Sequence, residues 1–190
     1  MIKAIIFDCF GVLVGRGFWA IYQELGGDPI ADEEFIDEWL NKANTGSISS
    51  EKFSNAMAKK LNLSLEKYND AFKRDEVPNE EVFEYIAKTL KPNYKLALVS
   101  NATGNSVRRK IPEEKLALFD EVFISAEVGL LKPDAKLFQL ALDRLGVRAG
   151  ETVFVDDHQK YIDGANAVGL QTILFRSLDD LQTNIEQLAG

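Results

Sequence analysis

The chain has few cysteines, histidines, prolines and cations. Its 190 residues include one Cys, one His and five Pro. One thiol, Cys9, cannot form an internal disulfide, and its isolation fits a reducing, cytoplasmic setting. One imidazole, His158, is poor material for a zinc site. Lys and Arg number 22 against 30 Asp and Glu, a net charge of −8. Nonspecific nucleic-acid binding needs a basic face, so no nucleic-acid partner is expected. An anionic substrate must then be drawn by a local cation, not by the overall field. No apolar run approaches the roughly 18 residues that span a bilayer, so no membrane partner is expected. The first apolar run stops at Asp8, too soon for a secretory signal. What the chain has in quantity is apolar content, 46%, beside 27% charged residues. That is the composition of a soluble globular protein, not of a disordered or fibrous one. The length allows one domain, or one domain with a small insert.

Short, nearly continuous apolar runs occur at Lys3–Phe7, Lys95–Val99, Val122–Ile124, Thr152–Val155 and Thr172–Phe175. Such runs read as strands buried on both faces. Helical patterns separate the later ones, at Gly104–Leu118, Asp134–Leu145, Lys160–Val168 and Leu178–Leu188. Gly146 and Gly169 stand where helix C-caps belong, and Ser177 with Asp180 has capping spacing. Strict alternation of strand and helix implies an α/β fold, a Rossmann-like doubly wound parallel sheet. The stretch from Gly15 to Lys91 breaks the alternation with helical patterns alone. Its last helix, Glu80–Leu90, reads as the crossover into the second strand. The rest reads as an inserted helical cap subdomain, residues 15–78, over a core of residues 1–14 and 79–190. Trp19, Trp39, Phe35 and Phe53 read as the core of that cap. The five carboxylates between residues 32 and 38 read as a solvated first helical turn.

An open parallel sheet binds ligands at the carboxyl ends of its strands. Asp8 follows the first run, Ser100-Asn101 the second and Asp156-Asp157 the fourth, while Lys132 lies in the loop after the third. Three carboxylates, a hydroxyl and an amine therefore converge on one edge. Packed carboxylates repel and need a cation to stay ionised. Oxygen ligands alone suit Mg²⁺, which shares its shell with waters and substrate phosphate. A carboxylate also serves as a nucleophile in aspartyl-phosphate chemistry. Lys132 and Ser100 are then placed to neutralise and orient phosphoryl oxygens.

Four segments together resemble the motifs of the haloacid dehalogenase (HAD) superfamily with a helical, C1-type cap. They are Ile6-Phe7-Asp8-Cys9-Phe10-Gly11-Val12-Leu13, Leu98-Val99-Ser100-Asn101, Leu131-Lys132-Pro133-Asp134 and Phe154-Val155-Asp156-Asp157, with Gly164-Ala165 and Gly169 trailing the last. The resemblance spans essentially the whole chain. It implies that Asp8 is the nucleophile, that Ser100 binds the phosphoryl group, and that Lys132 neutralises charge and positions Asp8. It implies Mg²⁺ held by Asp8, the backbone carbonyl of Phe10, Asp156 and Asp157, with Asn101 near the substrate.

Two positions depart from that pattern. Phosphatases of the superfamily carry a second Asp two residues after the nucleophile; here it is Phe10, which can neither give nor take a proton. Tyr161 stands where related chains often have Asn. The reading expected is a Mg²⁺-dependent phosphatase of a small phosphorylated metabolite, favouring good leaving groups such as acyl or sugar-1 phosphates. The alternatives are a 2-haloacid dehalogenase-like hydrolase and a catalytically weak phosphate-binding protein of the same fold. Arg16 is a candidate for holding an anionic substrate group, with a linker salt bridge as its other reading. His158 reads as a loop residue near the site, and Cys9 as a buried filler. A cytoplasmic monomer or homodimer is expected.

Overall fold

The computed structural model describes residues 1–102 and 104–189. Five strands form its centre: β1 Ala4–Phe7, β2 Lys95–Ser100, β3 Glu121–Ile124, β4 Thr152–Asp156 and β5 Gln171–Leu174. All pair in parallel, in the order β3-β2-β1-β4-β5. Every residue of β1 is buried. Apolar runs without polar alternation suit such a strand, because helices cover both faces of the sheet. β1 lies between β2 and β4, so one sheet edge receives the ends of all three. Phe7 is level with Val155, and one step further the register brings Asp8 level with Asp156.

The helices after β2 are α6 Gly104–Lys110, α7 Glu113–Leu116, α8 Ser125–Val128, α9 Ala135–Leu145, α10 Gln159–Ala167 and α11 Leu178–Ala189. α5, Glu80–Tyr85, precedes β2 and widens into a π-turn at Ile86–Leu90. One apolar layer joins Ile5 and Phe7 to Val82, Phe83, Val107, Leu181 and Ile185. The opposite layer joins Ala4 and Ile6 to Phe138, Ala141, Leu142, Ile162 and Ala165. Each fully buried Phe, Leu or Ile contributes about 1.5–3 kcal/mol against exposure, so these two layers carry most of the core's stability. Caps mark the helix ends. Asp134 accepts a hydrogen bond from the Lys136 amide at 2.9 Å, and Gly146 closes α9 at φ +65°. Ser177 accepts from the Asp180 amide at 3.2 Å.

Three details differ from the sequence expectation. The pattern at Gly104–Leu118 predicts one helix, but the structure breaks it at Ile111-Pro112 into α6 and α7. Proline brings no N–H and pushes its predecessor out of helical geometry. The single turn α8, ended by Gly129 at φ +71°, is too short to show periodicity. The π-turn lies inside a stretch expected to be regular helix.

Four helices lie between β1 and α5: α1 Gly17–Glu24, α2 Glu33–Asn44, α3 Ser50–Lys60 and α4 Leu65–Asp75. Ser49 and Ser64 cap α3 and α4, accepting from the amides of Lys52 and Lys67. These helices bury a cluster of their own, with Tyr22, Ile36, Met57 and Tyr68 at its centre and Phe18, Trp19, Phe35, Trp39, Phe53 and Phe72 around it. The acidic stretch before and within α2 is more than a solvated turn. Asp32 accepts from the Tyr22 hydroxyl at 2.8 Å and pairs with Lys60 at 2.7 Å. Asp37 pairs with Lys160 of α10. No helix among the described residues is long and apolar enough to cross a membrane.

Candidate active site

Asp8 leaves β1 with its amide donating to the Val155 carbonyl at 2.9 Å. The chain then curls: the amides of Leu13 and Val14 both donate to the Cys9 carbonyl at 2.8 Å. Gly11 sits in this curl at φ +98°. A Cβ on Gly11 would lie 2.3 Å from an Asp157 carboxylate oxygen, and one on Gly17 would lie 2.6 Å from the same atom. These two bare positions let the Asp157 carboxylate approach the backbone beyond β1. The Gly17 position also borders the Phe10 carbonyl, at 3.3 Å, so that carbonyl and Asp157 face one gap.

Lys132 comes from the loop before α9, through a cis Lys132-Pro133 bond. Its ammonium donates to Asp8 Oδ1 at 2.5 Å and to Asp156 Oδ2 at 2.6 Å. The side chain is only 1% exposed, so this is a desolvated, charge-assisted bridge, not a surface pair. Asn101 holds the loop that carries it. Its amide nitrogen donates to the Lys132 carbonyl at 2.9 Å, and its amide oxygen accepts from the Lys132 N–H at 2.8 Å. Behind the loop, Gly164 of α10 lies against Pro133: a Cβ there would stand 2.5 Å from the proline Cβ. The rings of Tyr161 and Phe154 flank the ammonium, with centroids 4.7 Å and 5.6 Å away.

Ligand oxygens of Asp8, Asp156 and Asp157 all lie within 4.8 Å of one another. Burial is the main cause pushing Asp8 up to about 7, with Lys132 opposing and Asp156 adding repulsion. Burial, then the charges of Asp8 and Asp156, push Asp157 up to about 8. Asp156 also rises, again through burial, and Lys132 opposes it. Burial alone would pull the Lys132 ammonium down, but Asp156 and Asp8 more than reverse this, so it stays protonated. The chain has thus gathered three carboxylates around one cation, which leaves a deficit of positive charge.

Two buried polar atoms lack hydrogen-bond partners among the described residues, the Ser100 hydroxyl and His158 Nδ1. The weakly polar Cys9 thiol stands beside Ser100. The His158 amide donates to Asp156 Oδ1 at 2.9 Å, and its ring lies 5.0 Å from both Trp19 and Tyr161. Burial lowers its imidazole below the usual value. Orphaned polar atoms are uncommon in folded interiors, and here both adjoin the carboxylate cluster.

A cavity of about 270 Å³ opens between the inserted helices and this sheet edge. Asp8, Phe10, Asn101, Lys132, Asp157, His158 and Tyr161 reach its wall. Ser100 and Asp156 lie behind it, buried. Two candidate substrate contacts already have partners within the protein. Arg16 does not face the cavity: its guanidinium pairs with Asp75 and Glu24, each at 2.7 Å, and its amide donates to Asp75 Oδ2. Asn101 reaches the cavity wall, and its amide nitrogen donates to the Lys132 carbonyl and, at 3.4 Å, to the Tyr161 hydroxyl. Tyr161, expected only as a departure, supplies a ring beside the ammonium. The Phe10 ring lies on the wall with the Lys110 ammonium 4.9 Å from its centroid. Lys110 is in turn paired with Glu76.

Known proteins resemble this chain in sequence and in fold. The phosphoserine phosphatase of Thermus thermophilus is 37% identical over 98 residues, which cover 50% of this chain and 39% of that protein. The ribulose-1,5-bisphosphate 5-phosphatase of Halopiger xanaduensis is 44% identical over 84 residues, covering 42% of this chain and 34% of that one. The matches thus span well under half the length of these curated relatives. Among solved structures, a HAD-like hydrolase of Porphyromonas gingivalis superposes with a TM-score of 0.68 at 24% identity, over 100% of this chain and 98% of that one. A HAD-family enzyme of Bacteroides thetaiotaomicron, solved with magnesium and inorganic phosphate, gives 0.65 at 19% identity, over 95% and 99%. These likenesses show the fold. The family of haloacid dehalogenase-like hydrolases matches residues 5–175, from β1 through β5 and across every strand-end residue described above. The chain belongs to that hydrolase family.

Proposed function

We propose that the protein is a Mg²⁺-dependent phosphatase of small phosphorylated substrates, working through an aspartyl phosphate on Asp8. The observation that carries this reading is the buried Lys132 bridge between Asp8 and Asp156, with Asp157 alongside. On the same reading, residues 15–78 act as a cap over a core of residues 1–14 and 79–190. The residues fit a hard divalent cation: the donors are oxygens, two carboxyls are pushed up by burial and crowding, and two glycines leave room for the Asp157 carboxylate near the Phe10 carbonyl. Asp8, Asp157, Asp156 and the Phe10 carbonyl would hold it. Bound there, Mg²⁺ would neutralise phosphoryl oxygens and offset the repulsion between the carboxylates. The magnesium and phosphate bound by the Bacteroides enzyme, and the phosphate esters named for the curated relatives, support this choice.

The protein's own groups then divide the work. Lys132 holds Asp8 Oδ1, which leaves Oδ2 to attack phosphorus. The P–O bond to the leaving group breaks, and its electron pair stays on the departing oxygen. Lys132 offsets charge on the phosphoryl oxygens, and the unpaired Ser100 hydroxyl is available to donate to one of them. Water then attacks phosphorus, the bond to Asp8 breaks, and inorganic phosphate leaves with the carboxylate restored. No acid stands at position 10, so leaving oxygens that need no proton are favoured, as in acyl, aryl and sugar-1 phosphates. Attack on a haloacid carbon would bring a substrate carboxylate against three protein carboxylates.

Acetyl phosphate and an aryl phosphate, with Mg²⁺ and with chelator, test the proposal against 2-haloacids. Hydrolysis of the phosphates that chelator abolishes supports it. Halide release that ignores chelator overturns it, as does phosphate binding without turnover.

The raised carboxyls also make stability depend on pH. An acid with a folded value above its unfolded one near 3.8 favours the folded state when protonated. The stabilisation present at low pH is therefore lost as pH rises through about 7 for Asp8 and about 8 for Asp157. Thermal unfolding of metal-free protein should show this contribution falling between pH 5 and 8.5. Mg²⁺ should raise the melting temperature more at pH 8.5 than at pH 5. An equal shift at both pH values contradicts the assignment of these carboxylates as ligands.

A further inference from the structure

We infer that the substrate is a phosphate ester with a compact apolar body and no second anionic group. This rests on the phosphatase reading above and concerns the part of the molecule beyond phosphorus. The cavity holds about 270 Å³, at the small end of ligand pockets, which run from about 300 to 1,000 Å³. Once a phosphoryl group is seated, the remainder suits a single ring or a short branched chain.

The wall around that remainder is aromatic and aliphatic. Phe10 contributes from the core side, and Phe18, Trp19, Leu40, Phe53 and Phe72 from the inserted helices. The latter five belong to the edge of the cap's own apolar cluster, so packing holds them in place. Phe18 stacks against Phe72 at 5.6 Å and meets Trp19 edge-on at 5.4 Å. Most polar groups on the wall are already engaged. Asp75 is paired with Arg16, Glu76 with Lys110, and Asn101 with the Lys132 backbone. Asn44, Ser50 and Ser54 also line it, with no side-chain hydrogen bond among the described residues. They can serve one polar substituent at the far end.

Two substrate classes fit poorly. A polyol phosphate would carry several hydroxyls out of water; those at the far end can meet Asn44, Ser50 and Ser54, but those beside Phe10, Phe18, Trp19 and Phe72 would lie on ring faces and lose hydrogen bonds. A substrate with a second carboxylate or phosphate would need a free cation. Among the described residues the cations on the wall are Lys110 and Lys132, and both are paired.

The test compares cyclohexylmethyl phosphate with glucose 6-phosphate and phosphoserine. All three have primary alkyl leaving groups, so differences in chemistry are small. Acetyl phosphate, too small to use the wall, reports on the phosphatase reading itself. The expected result is a kcat/KM for cyclohexylmethyl phosphate about 10²-fold above both others. Calorimetric affinities for the Asp8→Asn protein should fall in the same order. If acetyl phosphate is hydrolysed but glucose 6-phosphate or phosphoserine equals or beats the apolar ester, the inference is overturned and the phosphatase reading stands. If no phosphate turns over, acetyl phosphate included, the phosphatase reading falls and takes the inference with it.

Discussion

Asp8→Asn is expected to lower phosphate-ester hydrolysis by about 10⁴- to 10⁶-fold, the scale seen when a covalent nucleophile is removed. The amide keeps the shape but lacks a lone pair basic enough to attack phosphorus. Its effect on folding should run the other way. Asp8 is one of three carboxylates crowded within 4.8 Å, and burial already pushes it up to about 7. Removing its charge relieves repulsion on Asp156 and Asp157, while Lys132 keeps its 2.6 Å bridge to Asp156. Above neutral pH, metal-free Asp8→Asn protein should therefore melt at a temperature no lower than the parent. Lost activity with retained stability identifies a chemical role. Lost activity with a much lower melting temperature would make Asp8 a structural residue and undermine the mechanism.

Phe10→Asp is expected to raise turnover of a simple primary alkyl phosphate by about 10²-fold. General acid catalysis contributes roughly 10²- to 10⁴-fold, and two features of this site decide where the gain falls. The Phe10 ring lies on the cavity wall, so an introduced carboxyl would face the leaving oxygen. Lys110 stands 4.9 Å from the ring centroid, however, and a neighbouring ammonium favours the ionised carboxyl that cannot donate. The gain should thus lie at the low end of the range. Acetyl phosphate is the control, because its leaving acetate needs no proton. A selective gain on the alkyl ester supports the account of position 10. No gain, or an equal gain on both substrates, contradicts it.

Much of this was legible in the amino-acid order, and the exceptions have physical reasons. β1, β2 and β4 are continuous apolar runs that end in Asp8, Ser100 and Asp156, so the strand-end rule brought those residues to one edge. The break at Pro112 was written in the sequence, in a proline set between Ile111 and the charged run Glu113-Glu114-Lys115. The role of Asn101 was not visible, because its partner is the backbone of a residue 31 positions away. Arg16 likewise finds Asp75 across 59 positions, a pairing that only the fold creates. Tyr161 appeared as a missing Asn, whereas in the fold its ring flanks the Lys132 ammonium. Gly11 and Gly17 carried a signal that could have been read: glycines just after a strand-end carboxylate mark a place where another group comes close. In the fold that group is Asp157.

The proposed mechanism turns on covalent phosphorylation of Asp8. The most direct measurement is intact-protein and peptide mass spectrometry after rapid acid quench during turnover of acetyl phosphate with Mg²⁺. A transient gain of one phosphoryl group is expected, mapped to Asp8, sensitive to hydroxylamine and absent in Asp8→Asn. Hydrolysis that proceeds at the parent rate without any adduct on Asp8, or with the adduct on another residue, would contradict it.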